Sequence, residues 1–156
     1  MPQLTPFQRI TLAVEAQIPL VRAMEAALGR DEAHRLVRAA LDKANRAAVG
    51  KRGSLLDIST LAAEFAGFGE GVRYEFTTVE QTDTMLRNEV THCDYAEFME
   101  RIGARDLGQL LICDGDFAMA DELGLELERT TTCIAGDCHC NFCYHVKAGR
   151  PPEVSA

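Results

Sequence analysis

The chain has 156 residues, 47% of them hydrophobic, which suits one domain with a sizeable core. Its 24 acidic residues outnumber 16 basic ones, for a formal net charge of -8 at pH 7. This balance argues against a nucleic-acid partner, because phosphate contacts need clustered Lys and Arg. No apolar run is long enough for a membrane span, and the first residues lack signal-peptide character. We therefore expect a cytoplasmic protein with reduced cysteines.

The first half of the sequence has the apolar period of α-helices. Thr5 and Gln8 predict a capping box around Pro6 at the first helical position. Pro19 falls inside this first pattern and predicts a kink or a break. The first predicted helix runs from Pro6 to Gly29, the second from Asp31 to Gly50 and Gly53, and the third from Leu55 to Ala66.

From residue 72 the period changes to the two-residue alternation of β-strands. The predicted strands begin at Val72, Thr84, Leu125 and Cys138, with helices inserted from Asp94 to Ile102 and from Asp106 towards Leu123. This order predicts an α+β fold, with N-terminal helices packed on a mainly antiparallel sheet of about four strands and one or two inserted helices. We expect a single domain over residues 1–150 and a flexible tail over 151–156.

Four of the six cysteines lie between Cys133 and Cys143. The run Ala135-Gly136-Asp137 predicts a turn between two strands. Strand alternation then turns Cys138 and Cys140 inward and Cys143 outward, which weakens a closed four-cysteine zinc site. Packing is the alternative role for Cys133 and Cys143. Two histidines share the outward face and either bind a metal or are solvated: His139 and His145.

Two further cysteines lie upstream of this run. Cys93 stands where a strand ends and a helix begins, so the helix N-terminus should acidify its thiol, with help from His92 if that side chain points the same way. Cys113 has apolar residues before it and Asp116 three residues after it. A helix would bring this carboxylate near the thiol, where it could act as a base for a water molecule.

Three segments in this order resemble a known family: Thr91-His92-Cys93, Cys113-Asp114-Gly115-Asp116-Phe117, and Arg129-Thr130 through Gly136-Asp137 to Cys140-Asn141-Phe142. Over roughly residues 72–147 the chain resembles the L-2-amino-thiazoline-4-carboxylic acid hydrolase family. It departs from that pattern at Asn141, where the family has Asp, and at Cys143, where the family has a basic residue. The closing strand is also similar to vinyl-reductase-type small-molecule-binding domains.

The resemblance implies hydrolysis of a C–N or C–S bond in a small cyclic amidine or thiazoline that carries a carboxylate. We expect no cofactor and assign no residue to a metal. Cys113 or Cys140 would be the nucleophile, Asp116 the base or water-positioning group, and Arg129 either a carboxylate clamp or a surface residue. The expected catalytic residues are Cys113, Asp116, Cys140 and Cys93. The expected substrate-binding residues are His92, Arg129, Phe117 and Asn141.

A non-catalytic small-molecule-binding domain is the alternative function, with cysteines that line the pocket or hold zinc. The expected partner is a small-molecule substrate or ligand, with no nucleic acid and no membrane. A homodimer is a further expectation, since Ala-rich helical stretches at 12–27 and 33–48 could form a seam.

Overall fold

A computed structural model describes residues 4–51 and 56–149. Three expectations from the sequence fall outside these ranges: the flexible tail over 151–156, and Gly53 and Leu55 as helix bounds. The α-helices are α1 (Pro6–Leu28), α2 (Arg30–Gly50), α3 (Ile58–Gly67), α4 (Asp94–Arg101), α5 (Arg105–Gly108) and α6 (Gly115–Glu122). The strands are β1 (Tyr74–Gln81), β2 (Met85–Cys93), β3 (Leu125–Glu128) and β4 (Cys140–Val146). A π-helical turn (Gln109–Cys113) joins α5 to α6, and a 3-10 turn (Cys133–Ala135) precedes β4.

Helix α1 begins with the predicted capping box. The Thr5 side chain accepts from the Gln8 backbone N–H at 3.2 Å, and the Gln8 side chain accepts from the Thr5 N–H at 3.0 Å. Of the kink or break predicted at Pro19, the break does not occur, because α1 continues through it to Leu28. Pro19 lies on the exposed face of the helix, where the carbonyl that loses its partner can face water, while Val14 and Val21 stay buried in the core.

The four strands form one antiparallel sheet in the order β1-β2-β4-β3. The predicted α+β class, with helices packed on an antiparallel four-stranded sheet, is confirmed. Alternation along β4 buries Cys140, Phe142 and Tyr144, as predicted, and Leu86 and Val90 of β2 share this inner face. The inner face packs on α3 and α6, so the sheet forms one wall of the core.

The segment between β3 and β4 differs from the predicted hairpin. Cys133 lies in the 3-10 turn rather than in a strand, and Cys138 is exposed because β4 begins only at Cys140. Local hydrogen bonds explain this conformation. The Asp137 carboxylate accepts from the Thr132 N–H at 2.8 Å, and the Thr132 hydroxyl oxygen accepts from the N–H of residue 135 at 3.2 Å. The backbone thus has partners without a β-ladder.

Two apolar clusters fill the interior. One lies between the sheet, α3 and α6, and the other between α1, α4 and α5. Cys93 and Cys133 pack against both clusters, so the cysteine-bearing segments lie where the two meet. Of the helices in the described ranges, none combines the length and apolar character that crossing a bilayer requires.

Candidate active site: a thiol-lined pocket

A pocket opens at the junction of the two apolar clusters, with a volume of about 100 Å³. Its walls are mostly aromatic and aliphatic: Phe65, Phe68, Tyr74, Tyr95, Ile112, Ile134, Phe142 and Tyr144. Its other lining residues are three cysteines, one carboxylate and one guanidinium: Cys93, Cys113, Cys140, Asp116 and Arg129. A largely apolar cavity with a few convergent polar groups is typical of small-molecule sites.

The pocket brings together five of the eight residues expected to form the site. All four expected catalytic residues line it, and Arg129 is the fifth. His92, Phe117 and Asn141 are not among the lining residues. The three separate sequence segments therefore meet at one place, although each contributes only part of what was expected of it.

The π-helical turn positions Cys113 and Asp116. The N–H of Asp114 donates to the Gln109 carbonyl at 2.8 Å, which is the wider i to i+5 bond of a π-turn. Helix α6 then begins at Gly115, so the helix predicted from Asp106 towards Leu123 is interrupted by the π-helical turn and Asp114. Cys113 ends the wider turn and Asp116 lies in the first turn of α6, and both side chains line the pocket.

A hydrogen-bond network ties this turn to the segment before β4. The Thr132 hydroxyl donates to Gln109 at 2.9 Å, and the Gln109 amide donates to Asp114 at 2.9 Å. Arg105 donates to the carbonyls of Cys133 at 2.9 Å and of residue 134 at 3.0 Å. The network fixes the positions of two pocket walls relative to each other.

Arg129 is almost fully enclosed, with 1% of its side chain exposed. Its Nη1 donates to Asp116 at 2.5 Å and its Nη2 donates to the Cys113 carbonyl at 2.7 Å. The rings of Phe117 and Phe142 lie on it at 5.0 and 4.9 Å from the guanidinium carbon. Arg129 is therefore a buried cation in the pocket wall rather than a surface strand residue.

The charges of Asp116 and Arg129 depend on each other. Burial raises the pKa of the Asp116 carboxyl, against the opposing effect of the Arg129 guanidinium. Burial is the largest single influence and lowers the pKa of Arg129, but Asp116, Cys113 and Tyr144 together outweigh it, so the net pKa of Arg129 is raised. The pocket thus holds a permanent cation beside a carboxyl group whose proton affinity is increased, which suits acid–base chemistry.

The three pocket thiols are held in their neutral form. Burial raises the pKa of Cys140 to about 12, although the Cys133 N–H, 3.1 Å from its sulfur, lowers it. Burial also raises the pKa of Cys113 strongly. The predicted acidification of Cys93 by α4 is wrong, because burial outweighs the N–H groups at the helix start that lower its pKa.

The His92 side chain does not line the pocket. Its Nε2 lies 3.0 Å from an Asp94 oxygen and 3.3 Å from a Glu97 oxygen. Strand alternation accounts for this direction, because Cys93 and its neighbour lie on opposite sides of β2. Substrate binding by His92 remains a prediction, and the pocket lining does not support it.

Asn141 organises the chain that follows Arg129. Its Oδ1 accepts from the N–H groups of Thr130 at 2.9 Å and Thr131 at 2.7 Å, and from the Thr131 hydroxyl at 2.8 Å. Its Nδ2 donates to the Thr130 hydroxyl at 2.8 Å. A carboxylate oxygen at this position would accept the same three bonds, so these bonds do not depend on an amide side chain.

Tyr95 is a pocket residue that the sequence analysis missed. The side chain is 4% exposed, and its hydroxyl is buried without a hydrogen-bond partner among the described residues. An orphaned buried hydroxyl is unusual, because it loses its bonds to water without replacement. Its position two residues after Cys93 was the available signal, since a residue in the first turn of α4 lies beside the strand end.

The described part of the chain contains two groups of three side chains with metal-ligand atoms within 4.8 Å of one another. One is Glu128, Cys143 and His145, and the other is His92, Asp94 and Glu97. Neither includes a pocket cysteine. A zinc ion held by the pocket thiols therefore has no preformed set of ligands there.

The fold and the pocket define an α+β protein with a small, thiol-lined cavity. A comparison with protein families matches residues 8–144 to the family of L-2-amino-thiazoline-4-carboxylic acid hydrolase. The chain belongs to this family, and the match reaches from α1 to β4, well beyond the segments that carried the resemblance. A comparison with curated proteins gives no match.

Proposed function

We propose that this protein is a hydrolase that opens a small cyclic amidine or thiazoline carrying a carboxylate. Membership of the family supports the reaction class. The single observation that carries the proposal is the meeting of Asp116, Arg129 and three thiols in one small pocket. Such a pocket offers a base, a cation and proton donors, the groups that ring hydrolysis requires.

In the route we favour, water is the nucleophile. Asp116 takes a proton from the water molecule as the water oxygen bonds to the amidine carbon of the ring. The hydroxyl proton of this adduct passes to the nitrogen of the former C=N bond as the carbonyl forms. The ring C–N or C–S bond breaks, and the leaving nitrogen or sulfur takes a proton from the Asp116 carboxyl group. One water is consumed, and Asp116 returns to its starting state. Its raised pKa suits both the acceptance and the return of this proton.

A cysteine route uses the same groups in a different order. Cys113 or Cys140 would lose its proton to Asp116 and bond to the ring carbon, and water would then release the covalent intermediate. Burial raises the pKa of both thiols, so this route first has to remove a tightly held proton. We therefore assign the thiols, including Cys93, mainly to shaping the pocket and donating hydrogen bonds.

The substrate carboxylate would be held by charge and by a hydroxyl donor. Arg129 supplies the positive charge, although one donor on each of its terminal nitrogens is already engaged. The orphaned Tyr95 hydroxyl would gain the partner it lacks by donating to a substrate oxygen or nitrogen. Phe117 and Asn141 would act indirectly, by packing on Arg129 and by fixing the chain that follows it.

A non-catalytic small-molecule-binding domain is the second candidate. The observation that favours it is that all three pocket thiols have raised pKa values within mostly apolar walls. A pocket of this kind could hold a ligand without reacting with it.

A hydrolysis screen over cyclic amidines and thiazolines separates these candidates. Wild-type protein should turn over at least one ring that carries a carboxylate. Cys113→Ala and Cys140→Ala should lower turnover, whereas Cys138→Ala, which removes an exposed thiol outside the pocket lining, should not. Binding without turnover would favour the binding domain. Turnover unaffected by both pocket substitutions would eliminate any role for these thiols in the reaction.

A further inference from the structure

The outer face of the β3–β4 pair carries a second cluster of ligand-type side chains. Cys143 and His145 lie two residues apart on β4 and so share this face. Glu128 pairs directly with Cys143 in the strand register, and Glu126 pairs with His145. Cross-strand neighbours have Cβ atoms about 4.5–5.5 Å apart. A thiol, an imidazole and two carboxylates therefore form a compact group, fixed by the backbone pairing.

The distances within this group fit a zinc ion. The Cys143 sulfur lies 3.2 Å from His145 Nε2, and a Glu128 oxygen lies within 4.8 Å of both atoms. Zinc binds sulfur at about 2.3 Å and imidazole nitrogen at about 2.0–2.1 Å, so tetrahedral geometry separates the two atoms by about 3.5 Å. The thiol and the imidazole need only a small adjustment, and the exposed Glu128 side chain is free to turn towards them.

The local charge also favours a cation. Glu128 and Glu126 contribute two carboxylates on this face, while Arg87 is the cation whose strand position lies opposite Cys143. Arg87 would oppose a metal ion, but its guanidinium lies 3.9 Å from the Glu80 carboxylate, which offsets its charge. Zinc accepts a mixed set of thiolate, imidazole and carboxylate ligands, whereas Mg²⁺ and Ca²⁺ prefer oxygen alone.

We propose that Cys143, His145 and Glu128 form a zinc-binding site on the outer face of the sheet, with Glu126 or water as the fourth ligand. Binding would displace the thiol proton of Cys143 to solvent and leave the sulfur as a thiolate ligand. The ion would join the edge strand β3 to β4. The site faces away from the pocket, because Phe142 and Tyr144 on either side of Cys143 point inward. It therefore stands independently of the proposed hydrolysis.

The test uses metal-free full-length protein titrated with Co²⁺, which takes zinc sites and reports its ligands by colour. We expect stoichiometric binding with the intense visible bands of a tetrahedral site and a sulfur-to-cobalt charge-transfer band in the near ultraviolet. Zn²⁺ should then displace the cobalt and abolish both, because zinc binds such ligands more tightly. Absence of stoichiometric binding would overturn the proposal.

Variants assign the colour to particular residues. Cys143→Ser should abolish the charge-transfer band, and His145→Gln and Glu128→Gln should each weaken binding by roughly tenfold or more, since even neighbours of metal ligands cost about 10–100-fold when changed. Cys138→Ser is the matched control, because its sulfur lies 3.2 Å from His139 in an exposed pair without a third ligand among the described residues, and it should bind cobalt normally. The three variants of the proposed ligands should keep the circular dichroism spectrum of the wild type.

Three results would contradict the assignment. Visible bands without a charge-transfer band would place the metal at a sulfur-free site such as His92, Asp94 and Glu97. A charge-transfer band that survives Cys143→Ser would place it at other thiols. Unchanged affinity in both His145→Gln and Glu128→Gln would leave a bare thiol as the ligand. None of these results would bear on ring hydrolysis in the pocket.

Discussion

Replacing Arg129 with Met should unpair the pocket carboxylate and destabilise the fold. Removal of one partner from a buried ion pair costs about 3–5 kcal/mol. The Asp116 side chain is 29% exposed, and contact with water should reduce the cost of unpairing its carboxylate to about 2 kcal/mol. Loss of the cation between Phe117 and Phe142 adds about 1 kcal/mol. We therefore expect a loss of about 3 kcal/mol in the free energy of unfolding at pH 7, measured by urea denaturation.

The pH dependence of this loss tests its origin. The pKa of Asp116 is raised in the folded protein above its ordinary value of 3.8, so the folded state binds the proton more tightly than the unfolded state. This carboxyl therefore favours folding below pH 3.8, and its contribution is lost as the pH rises through the folded-state pKa. Arg129 opposes that rise in pKa, so the effect of Arg129→Met should grow from acidic to neutral pH.

Arg35→Met is the matched control, because Arg35 forms an exposed pair with Glu32 on α2. It should give no resolved change in the same assay. A loss below about 1 kcal/mol for Arg129→Met, or a loss that does not vary with pH, would refute the reasoning.

Three further predictions follow from individual pocket contacts. Tyr95→Phe should raise the free energy of unfolding by about 1 kcal/mol, because it removes an unpartnered hydroxyl, and it should lower turnover in the hydrolysis screen. Lower stability with unchanged turnover would show that the hydroxyl has no ligand role. Asn141→Ala should cost about 1–2 kcal/mol through its lost acceptor bonds, whereas Asn141→Asp should retain stability in urea denaturation, and equal losses in both would contradict an acceptor role. Iodoacetamide at pH 7 should alkylate the exposed Cys138 before Cys93, Cys113 and Cys140, because burial raises the pKa of those three thiols. Peptide mass spectrometry follows the order of reaction, and a pocket cysteine that reacts first would contradict neutral thiols in the pocket.

Periodicity in the sequence was sufficient for the main architecture. The alternation of Cys140, Phe142 and Tyr144 correctly predicted their inward face, because one buried side of a sheet imposes a two-residue period. The same alternation failed for Cys138, since side-chain bonds from Asp137 and Thr132 delay the start of β4. Local pattern does not include such bonds, which depend on residues several positions apart.

The sequence identified part of the pocket lining but not its electrostatics. The family resemblance carried by three segments implied four catalytic residues, and all four line the pocket. The helix start at Cys93 suggested an acidic thiol, but the depth of burial, which only the packed fold determines, reverses that effect. The sequence did not indicate Tyr95, because only the three-dimensional structure shows that its buried hydroxyl has no hydrogen-bond partner among the described residues.

The turnover of Asp116→Asn tests the central claim most directly. The substrate would be the ring compound that wild-type protein hydrolyses fastest in the screen, and Asp121→Asn, an exposed carboxylate on the same helix outside the pocket lining, is the control. Because a general base contributes about 10²–10⁴-fold, kcat should fall by about 10²-fold or more in Asp116→Asn and stay near wild type in the control. Unchanged kcat in a folded Asp116→Asn variant would contradict the proposed role of this pocket.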